Sequence, residues 1–178
     1  MRRYSRAVHE PVHTERLRLR PFTDEDLGAL NAMWSHPEVG PWIGGRHTSR
    51  DQSAEVLAEH VRHQQRHGYG FWAAEDGGEL VGEVGLMLFE GHGPEIEIGW
   101  CFARESWGRG LAREAAVRWL EIGFGELNLN RIIAVILPSN ERSIRLARSL
   151  GMRPAGMRYA YGAEHLVFEL ARAEFSHG

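Results

Sequence analysis

The chain has 178 residues, of which 43% are hydrophobic, a length and composition that suit one compact domain with a single core. Its formal net charge is -3, and basic and acidic residues are interspersed, so nothing indicates a surface that binds nucleic acid. Arginine supplies all 21 basic residues, which excludes a lysine Schiff base and a Walker-type phosphate-binding lysine.

The cysteine content and the hydrophobic runs exclude further classes of protein and of binding site. The single cysteine, Cys101, excludes an internal disulfide and any zinc site built from cysteines. No apolar run reaches the roughly 20 residues that span a bilayer, and no apolar core of a signal peptide follows the N-terminal arginines. We therefore expect a cytoplasmic monomer or homodimer with no metal and no membrane or nucleic-acid partner.

The first half of the chain predicts one strand, two helices and then three strands. Arg16 to Arg20 alternates in polarity, which predicts a strand. Thr23 and Ser49 each begin a capping-box pattern, and the two helices should run to about Trp34 and His67. Turn signals then join three strands into an antiparallel meander, predicted over residues 71–75, 80–89 and 95–102.

The second half predicts a crossover unit. We expect a helix over 110–124, a strand over 131–137, a helix over 140–150 and two final strands near Met157 and Leu166. About thirty residues separate the strand ending at Phe102 from the next, the length of a βαβ unit, so these two strands should be parallel. The fold class is thus α/β, with a mixed, mostly antiparallel sheet, one parallel pair and helices on both faces.

Ligands bind beyond the carboxyl ends of parallel strands, which predicts a site around residues 100–112. Gly108, Gly110 and Ala112 leave the backbone bare there, where unpaired N–H groups and the helix dipole favour a phosphate. The dinucleotide motif G-x-G-x-x-G does not fit, because its third glycine would fall on Arg113. A tight strand-to-helix turn without a ligand is the alternative.

Longer stretches of the chain resemble the GNAT superfamily of N-acetyltransferases, specifically the branch that acetylates the N-termini of ribosomal proteins. The likeness begins at TERLRLRPFTDEDL, continues through EIEIGWCF, and is densest in ESWGRGLAREA and LPSNERSIRLARSLGM. It implies a splayed parallel pair of strands that holds coenzyme A. We expect an N-terminal extension over residues 1–14 and an acetyltransferase domain over 15–176.

The resemblance also implies the residues that contact coenzyme A. Its pyrophosphate-binding segment, Q/R-x-x-G-x-G/A, aligns here with Trp107, Gly108, Arg109, Gly110, Leu111 and Ala112. Trp107 departs from the Gln or Arg of that pattern, but we expect binding to survive because backbone N–H groups make the contacts. A backbone N–H near Cys101 or Phe102 is implied as the donor to the thioester carbonyl oxygen.

The acceptor amine must lose a proton before it attacks, since a lysine-like amine has a pKa of about 10.4. Glu97 is the first candidate base, because strand alternation places it opposite the face that carries Ile96 and Ile98. Glu83, in the neighbouring strand, is the reserve. A solvated glutamate without a catalytic role is the alternative for Glu97.

The departing thiolate also needs a partner. The general superfamily often uses a tyrosine seven residues after an asparagine, but the residue in that position relative to Asn140 is Ala147. The ribosomal branch carries N-x-x-S, matched by Asn140 and Ser143, which lie one helical turn apart. We expect both to bind coenzyme A and Ser143 to donate a hydrogen bond to the sulfur. Helix capping is the alternative for Asn140.

Two other features have simpler explanations. His60, His63 and His67 share one helix face, and we predict that this face is hydrophilic and holds no metal. The loop HPEVGPWIGG, residues 36–45, should border the acceptor site by resemblance.

Together these features predict direct acetyl transfer from acetyl-CoA to a primary amine, either a protein N-terminal α-amine or a small-molecule amine. A non-catalytic acyl-CoA-binding module of the same fold is the alternative, and Asn140 with Ser143 favours the enzyme.

Overall fold

An eight-stranded mixed sheet runs through the computed structural model, which describes residues 8, 10–43 and 49–175. The strands are β1 Val12–His13, β2 Arg18–Arg20, β3 Phe71–Asp76, β4 Glu79–Leu88, β5 Ile96–Phe102, β6 Arg131–Ile136, β7 Arg153–Ala160 and β8 Ala163–Ala171. Four α-helices accompany them: α1 Leu27–Trp34, α2 Arg50–His67, α3 Leu111–Glu121 and α4 Glu141–Ser149. Most of the predicted N-terminal extension, together with Gly44, Gly45 and Ser176, lies outside the described residues.

The strand order is β1-β2-β3-β4-β5-β6-β8-β7. All neighbouring strands are antiparallel except β5 and β6, which are parallel and are connected through α3. The predicted meander and the predicted crossover are therefore both confirmed. Of the helices in the described ranges, none combines the length and the apolar character that crossing a membrane requires.

The start of the chain differs from the prediction. β2 covers Arg18–Arg20 rather than 16–20, and the short strand β1 precedes it. Arg16 is drawn away from the sheet because its backbone N–H and its Nε both donate to the carboxylate of Glu114, at 2.8 and 2.7 Å. A turn closed by the N–H of Thr14 and the carbonyl of Leu17 then separates the two strands.

Capping residues define the ends of α2 as predicted. Ser49 Oγ accepts a hydrogen bond from the N–H of Gln52 at 3.2 Å, and Gly68 ends the helix with a left-handed φ of 76°. At α1, Asp26 accepts from the N–H of Thr23 at 2.8 Å, but the first turn is a 3-10 helix over Asp24–Asp26.

Helices cover both faces of the sheet, and each face has its own core, which confirms the predicted fold class. The larger core packs α3 and α4 against Trp72, Ile98 and Phe168. The smaller core packs α1 and α2 against Ala73 and Cys101 on the opposite face. At its end, α3 passes into a π-helical turn over Ile122–Glu126, so the helix is shorter than predicted but the chain stays helical.

The prediction of a hydrophilic histidine face on α2 is wrong. His60 and His63 are only 9% and 8% exposed. The ring of His60 lies 5.9 Å from Phe22 and 5.1 Å from Phe71, centroid to centroid, so aromatic packing takes the place of water. Burial, reinforced by the neighbouring histidines, lowers the pKa of His63 to about 4.

Two glycines allow a side chain of β3 to lie across the sheet. Gly85 in β4 pairs with both Phe71 in β3 and Gly99 in β5. A Cβ on Gly99 would be 2.5 Å from Cζ of Phe71, and a Cβ on Gly85 would be 2.0 Å from the carbonyl oxygen of Gly70. The Phe71 ring therefore occupies the space above Gly99.

Replacing Gly85 with alanine is expected to destabilise the protein, because the new Cβ would collide with backbone that cannot rotate away. Overpacking of this kind costs about 1–3 kcal/mol. The control is Gly28→Ala in α1, where a Cβ meets nothing within 4 Å and the helix gains about 0.5–1 kcal/mol. Urea denaturation measures both free energies of unfolding, and equal stabilities would contradict the packing at Gly85.

Candidate active site

A cavity of about 890 Å³ opens where β5 and β6 diverge. The two strands pair at Glu97 and Ile133, and no further pair joins them, although both strands are fully described. The cavity extends from their carboxyl ends to the turn before α3 and the start of α4. Most of the residues predicted to bind coenzyme A line it: Cys101, Phe102, Trp107, Gly108, Gly110, Leu111, Ala112, Asn140 and Ser143.

Arg109 is not among the lining residues. Its guanidinium bonds Asp76 at 2.6 Å, and its carbonyl oxygen accepts from Arg16 at 2.7 Å. These contacts tie the turn to the β3–β4 hairpin and to the segment before β2. The arginine therefore anchors the turn from the outside.

The backbone of the turn has the shape that a phosphate requires. Gly108 and Gly110 have left-handed φ values of 78° and 79°, which residues other than glycine rarely adopt. Among the described residues, no side chain caps α3, which begins at Leu111, so its first N–H groups are left for another partner. A Cβ on Gly108 would meet nothing within 4 Å, whereas one on Gly110 would contact Arg16 at 3.5 Å. A helix N-terminus of this kind is suited to an anion.

Trp107 joins the two sides of the cavity mouth. Its Nε1 donates to the carbonyl oxygen of Phe102 at 2.9 Å, which fixes the indole at the end of β5. The Arg142 guanidinium, from the first turn of α4, lies 4.1 Å from the ring centroid, and that of Arg104 lies 4.9 Å from it. Such cation–π contacts contribute about 0.5–1 kcal/mol each at exposed sites. The indole thus has a structural role where the general pattern has Gln or Arg.

Asn140 and Ser143 have different roles in the helix start. Asn140 Oδ1 accepts from the N–H of Ser143 at 3.2 Å, so the asparagine does cap α4. Ser143 Oγ accepts from Nε1 of Trp100 at 3.2 Å. An indole nitrogen can only donate, so the hydroxyl proton of Ser143 is left to donate to a group in the cavity. Sequence alone did not identify Trp100 as the partner that orients this hydroxyl.

Glu97 lies on the predicted face of β5 but is neither solvated nor part of the cavity wall. The residue is 9% exposed, and the hydroxyl of Tyr161 donates to its Oε1. Its Oε2 has no hydrogen-bond partner among the described residues. Burial raises the pKa of Glu97 to about 7, against the opposing effect of the Tyr161 hydrogen bond. The alternative of a solvated glutamate is therefore wrong.

Tyr161 is a member of this cluster that sequence analysis missed. It stands in the turn between β7 and β8 with a φ of 51°, and its hydroxyl accepts from the N–H of Glu90 at 2.9 Å. Burial and the nearby Glu97 raise the pKa of the phenol well above its usual value. The two residues are 64 positions apart, and only the pairing of β6 with β8 brings the hairpin near β5.

The reserve base, Glu83, is already partnered. Its Oε1 accepts from Nε1 of Trp34 at 2.8 Å, and its Oε2 lies 3.4 Å from Nε2 of His60. Cys101 stands opposite Glu83 on β5, and burial raises the pKa of its thiol well above the usual range. A thiol that stays protonated is a poor nucleophile.

The remaining wall contains residues from two further segments. His165 of β8 lines the cavity, and sequence analysis did not single it out. The described part of the loop over 36–45 contributes Val39, Trp42 and Ile43. Within the described ranges, no group of three or more His, Cys, Asp or Glu side chains is placed to hold a metal ion.

Comparison with known proteins gives a consistent match. Residues 16–153 match the family model described as an acetyltransferase (GNAT) domain. The chain is 36% identical to the uncharacterized protein YkkB of Bacillus subtilis, over 78% of this chain and 83% of the relative. It is 31% identical to the uncharacterized N-acetyltransferase p20 of Bacillus licheniformis, over 85% of this chain and 87% of the relative.

A solved structure agrees with these relatives. The crystal structure of an acetyltransferase from Agrobacterium tumefaciens superposes with a TM-score of 0.80 at 28% identity. The superposition covers 90% of this chain and 94% of that one.

Replacing Tyr161 with phenylalanine is expected to raise the pKa of Glu97 above about 7, because the hydrogen bond that favours the charged carboxylate is lost while burial remains. At neutral pH a smaller fraction of Glu97 is then ionised. The control is Tyr159→Phe, since that side chain in β7 is 71% exposed. A ¹³C NMR titration of labelled glutamate carboxyls measures the change. The same pKa in both variants would show that the phenol does not act on the carboxylate.

Proposed function

Because the chain belongs to the GNAT acetyltransferase family, we propose that it transfers an acetyl group from acetyl-CoA to a primary amine by direct attack within a ternary complex. The observation that carries this proposal is the set of groups around the divergence of β5 and β6. The uncapped start of α3 and Ser143, whose hydroxyl proton is left to donate, line the cavity, and the buried carboxylate of Glu97 lies at the position where the two strands last pair.

The turn from Trp107 to Ala112 is proposed to bind the pyrophosphate of coenzyme A. Its bare backbone and uncapped helix start support this, because backbone N–H groups and the helix dipole both favour an anion. Arg113, Arg142 and Arg145 line the same cavity and add positive charge. A volume of about 890 Å³ is within the usual range of small-molecule sites, roughly 300–1,000 Å³.

Glu97 is proposed to deprotonate the acceptor amine. A carboxylate with a pKa of about 7 is half ionised at neutral pH, and bases near the operating pH are the most effective. Because Glu97 does not line the cavity, we propose that water carries the proton to its unpartnered Oε2.

The thioester and its leaving group are proposed to meet the ends of β5 and α4. A backbone N–H near Cys101 or Phe102 binds the carbonyl oxygen, on the part of β5 that no longer pairs with β6. Ser143, oriented by Trp100 and by the capping residue Asn140, donates to the sulfur as the thiolate departs. A coenzyme A thiol resembles cysteine, with a pKa of about 8.5, so a hydrogen bond is sufficient help.

We further propose that residues 15–176 form the acetyltransferase domain and that the acceptor is a protein N-terminal α-amine or a small-molecule amine. The N-x-x-S pattern at Asn140 and Ser143 and the W-G-x-G turn support placement in the branch that acetylates ribosomal proteins. Release of thiol from acetyl-CoA, measured over a panel of peptides and primary amines, tests the activity. Binding of acetyl-CoA with no thiol release would instead identify a non-catalytic acyl-CoA-binding module.

Replacing Gly108 with valine is expected to weaken acetyl-CoA binding by about tenfold or more, because the side chain enters the space where phosphate must approach. Gly78→Val is a matched control. Gly78 also has a positive φ, 90°, and open space around its Cβ, but it lies in the β3–β4 turn. Both variants should lose about 1–2 kcal/mol of stability. Calorimetric titration with acetyl-CoA compares them, and equal affinities would move the phosphate site elsewhere.

Glu97→Gln and Ser143→Ala should differ in how their rates depend on pH. Without Glu97, turnover should fall most near neutral pH and partly recover in alkaline solution, where neutral amine forms unaided. Without the Ser143 hydroxyl, turnover should fall by a nearly constant factor, about 10²-fold, because no ionisation of the hydroxyl is involved. Rate-versus-pH series for wild type and both variants measure this. Wild-type rates in Glu97→Gln at every pH would remove that residue from the mechanism.

A further inference from the structure

Acetylation of an amine requires two proton removals from the same nitrogen. A primary ammonium carries three N–H bonds and the product amide carries one. The first proton must leave before attack, because the nitrogen needs its lone pair, and Glu97 is proposed for that step. The second leaves only after the C–N bond has formed. This step rests on the proposed function and requires a proton acceptor within hydrogen-bond reach of the reacting nitrogen, directly or through one water.

Few side chains of the cavity wall can accept a proton. Among the described lining residues, arginines and hydroxyl groups are excluded by their chemistry, which leaves Cys101, Glu141 and His165. The Glu141 side chain is 80% exposed and pairs with Arg145 at 3.2 Å, so it stands in solvent. Burial keeps the Cys101 thiol protonated by raising its pKa, and a protonated thiol is a poor proton acceptor. His165 is the remaining group.

A backbone carbonyl oxygen selects the tautomer of the neutral His165 imidazole. Its Nδ1 lies 3.0 Å from the carbonyl oxygen of Ala163. A carbonyl oxygen can only accept, so Nδ1 carries the hydrogen and Nε2 carries the lone pair. No hydrogen-bond partner of Nε2 is found in the described ranges. The residue is 8% exposed and borders the cavity.

His165 shares a neighbour, Tyr161, with the other proposed proton acceptor. Its ring stands edge-on to Tyr161, at 6.1 Å between centroids, and Tyr161 in turn bonds Glu97. Opposite it on β7 is Arg158, whose guanidinium is paired with Glu95. The adjacent Glu164 is exposed. Tyr161 therefore neighbours both candidate acceptors, Glu97 at its hydroxyl and His165 at its ring, and of the two only His165 lines the cavity.

We propose that His165 is the second proton acceptor of the reaction. In the tetrahedral intermediate, an N–H bond breaks, its electron pair stays on nitrogen, and the proton forms a bond to Nε2. The intermediate then collapses: the C–S bond breaks and its electron pair leaves on the sulfur, which Ser143 stabilises. The imidazolium returns its proton to solvent, and the thiolate takes one from solvent, so one proton is released for each ammonium consumed.

The test uses His165→Asn, because the asparagine amide can still donate to the Ala163 carbonyl but offers no nitrogen lone pair in place of Nε2. Turnover should fall by about 10²-fold, the low end of general-base effects. The loss should persist in alkaline solution, where Glu97→Gln recovers, because a supply of neutral amine replaces only the first acceptor. Added imidazole should restore part of the rate.

The control is His92→Asn. Nδ1 of His92 also bonds the carbonyl two residues earlier, Glu90, at 2.8 Å, but this side chain is exposed and outside the cavity. It should have wild-type turnover. Calorimetry with acetyl-CoA should give nearly wild-type affinity for both variants, which separates a catalytic defect from misfolding.

Three outcomes would overturn the role of His165. They are wild-type turnover in His165→Asn, recovery of that variant at alkaline pH, and failure of imidazole to raise its rate. If wild type itself releases no thiol with any amine of the panel, the proposed function fails as a whole, and the role of His165 fails with it. Activity in wild type and Glu97→Gln, together with an unaffected His165→Asn, would overturn the role of His165 alone.

Discussion

The divergence of β5 and β6 after their single paired position is the constraint on which the site depends. Backbone groups inside a sheet are normally paired, and leaving them unpaired in a buried place has a cost. Here the end of β5, from Ile98 to Phe102, stays paired with β4 but does not pair with β6. The separation creates the cavity, leaves one edge of β5 unpaired beside it, and brings the starts of α3 and α4 to the two sides of a single opening.

Groups that favour an anion line the opening, whereas the two candidate bases are buried in the sheet away from it. The uncapped start of α3 and several arginines favour phosphate groups. Neither Glu97 nor Glu83 lines the cavity; both are buried, and their carboxylates accept hydrogen bonds from the side chains of Tyr161 and Trp34. Burial raises the pKa of Glu97 to about 7, which a solvated glutamate would not have.

Features with a local cause could be predicted from sequence. The helix boundaries at Ser49 and Gly68 depend on capping, and the parallel pair follows from the length of one connection. The turn that contains Gly108 and Gly110 was also predictable, because the absence of side chains, which lets a phosphate approach the backbone, can be read directly from the sequence. What could not be predicted depends on distant neighbours. Tyr161 reaches Glu97 across 64 positions, and His60 is buried although its own helix face is polar in sequence. Arg16 lies outside the observed strand because its Nε donates to the carboxylate of Glu114 in α3.

The double hydrogen bond of Tyr161 has a thermodynamic consequence. One phenol oxygen holds the Glu90 amide and the Glu97 carboxylate together, so the position of the β7–β8 hairpin and the proton affinity of Glu97 are linked variables. Linkage is reciprocal. A molecule that displaces the hairpin when it binds would change the proton affinity of Glu97. Protonation of Glu97 would, by the same free energy, change the cost of displacing the hairpin. The pH of the solution and the binding of such a molecule would then influence each other through the hydroxyl group of Tyr161.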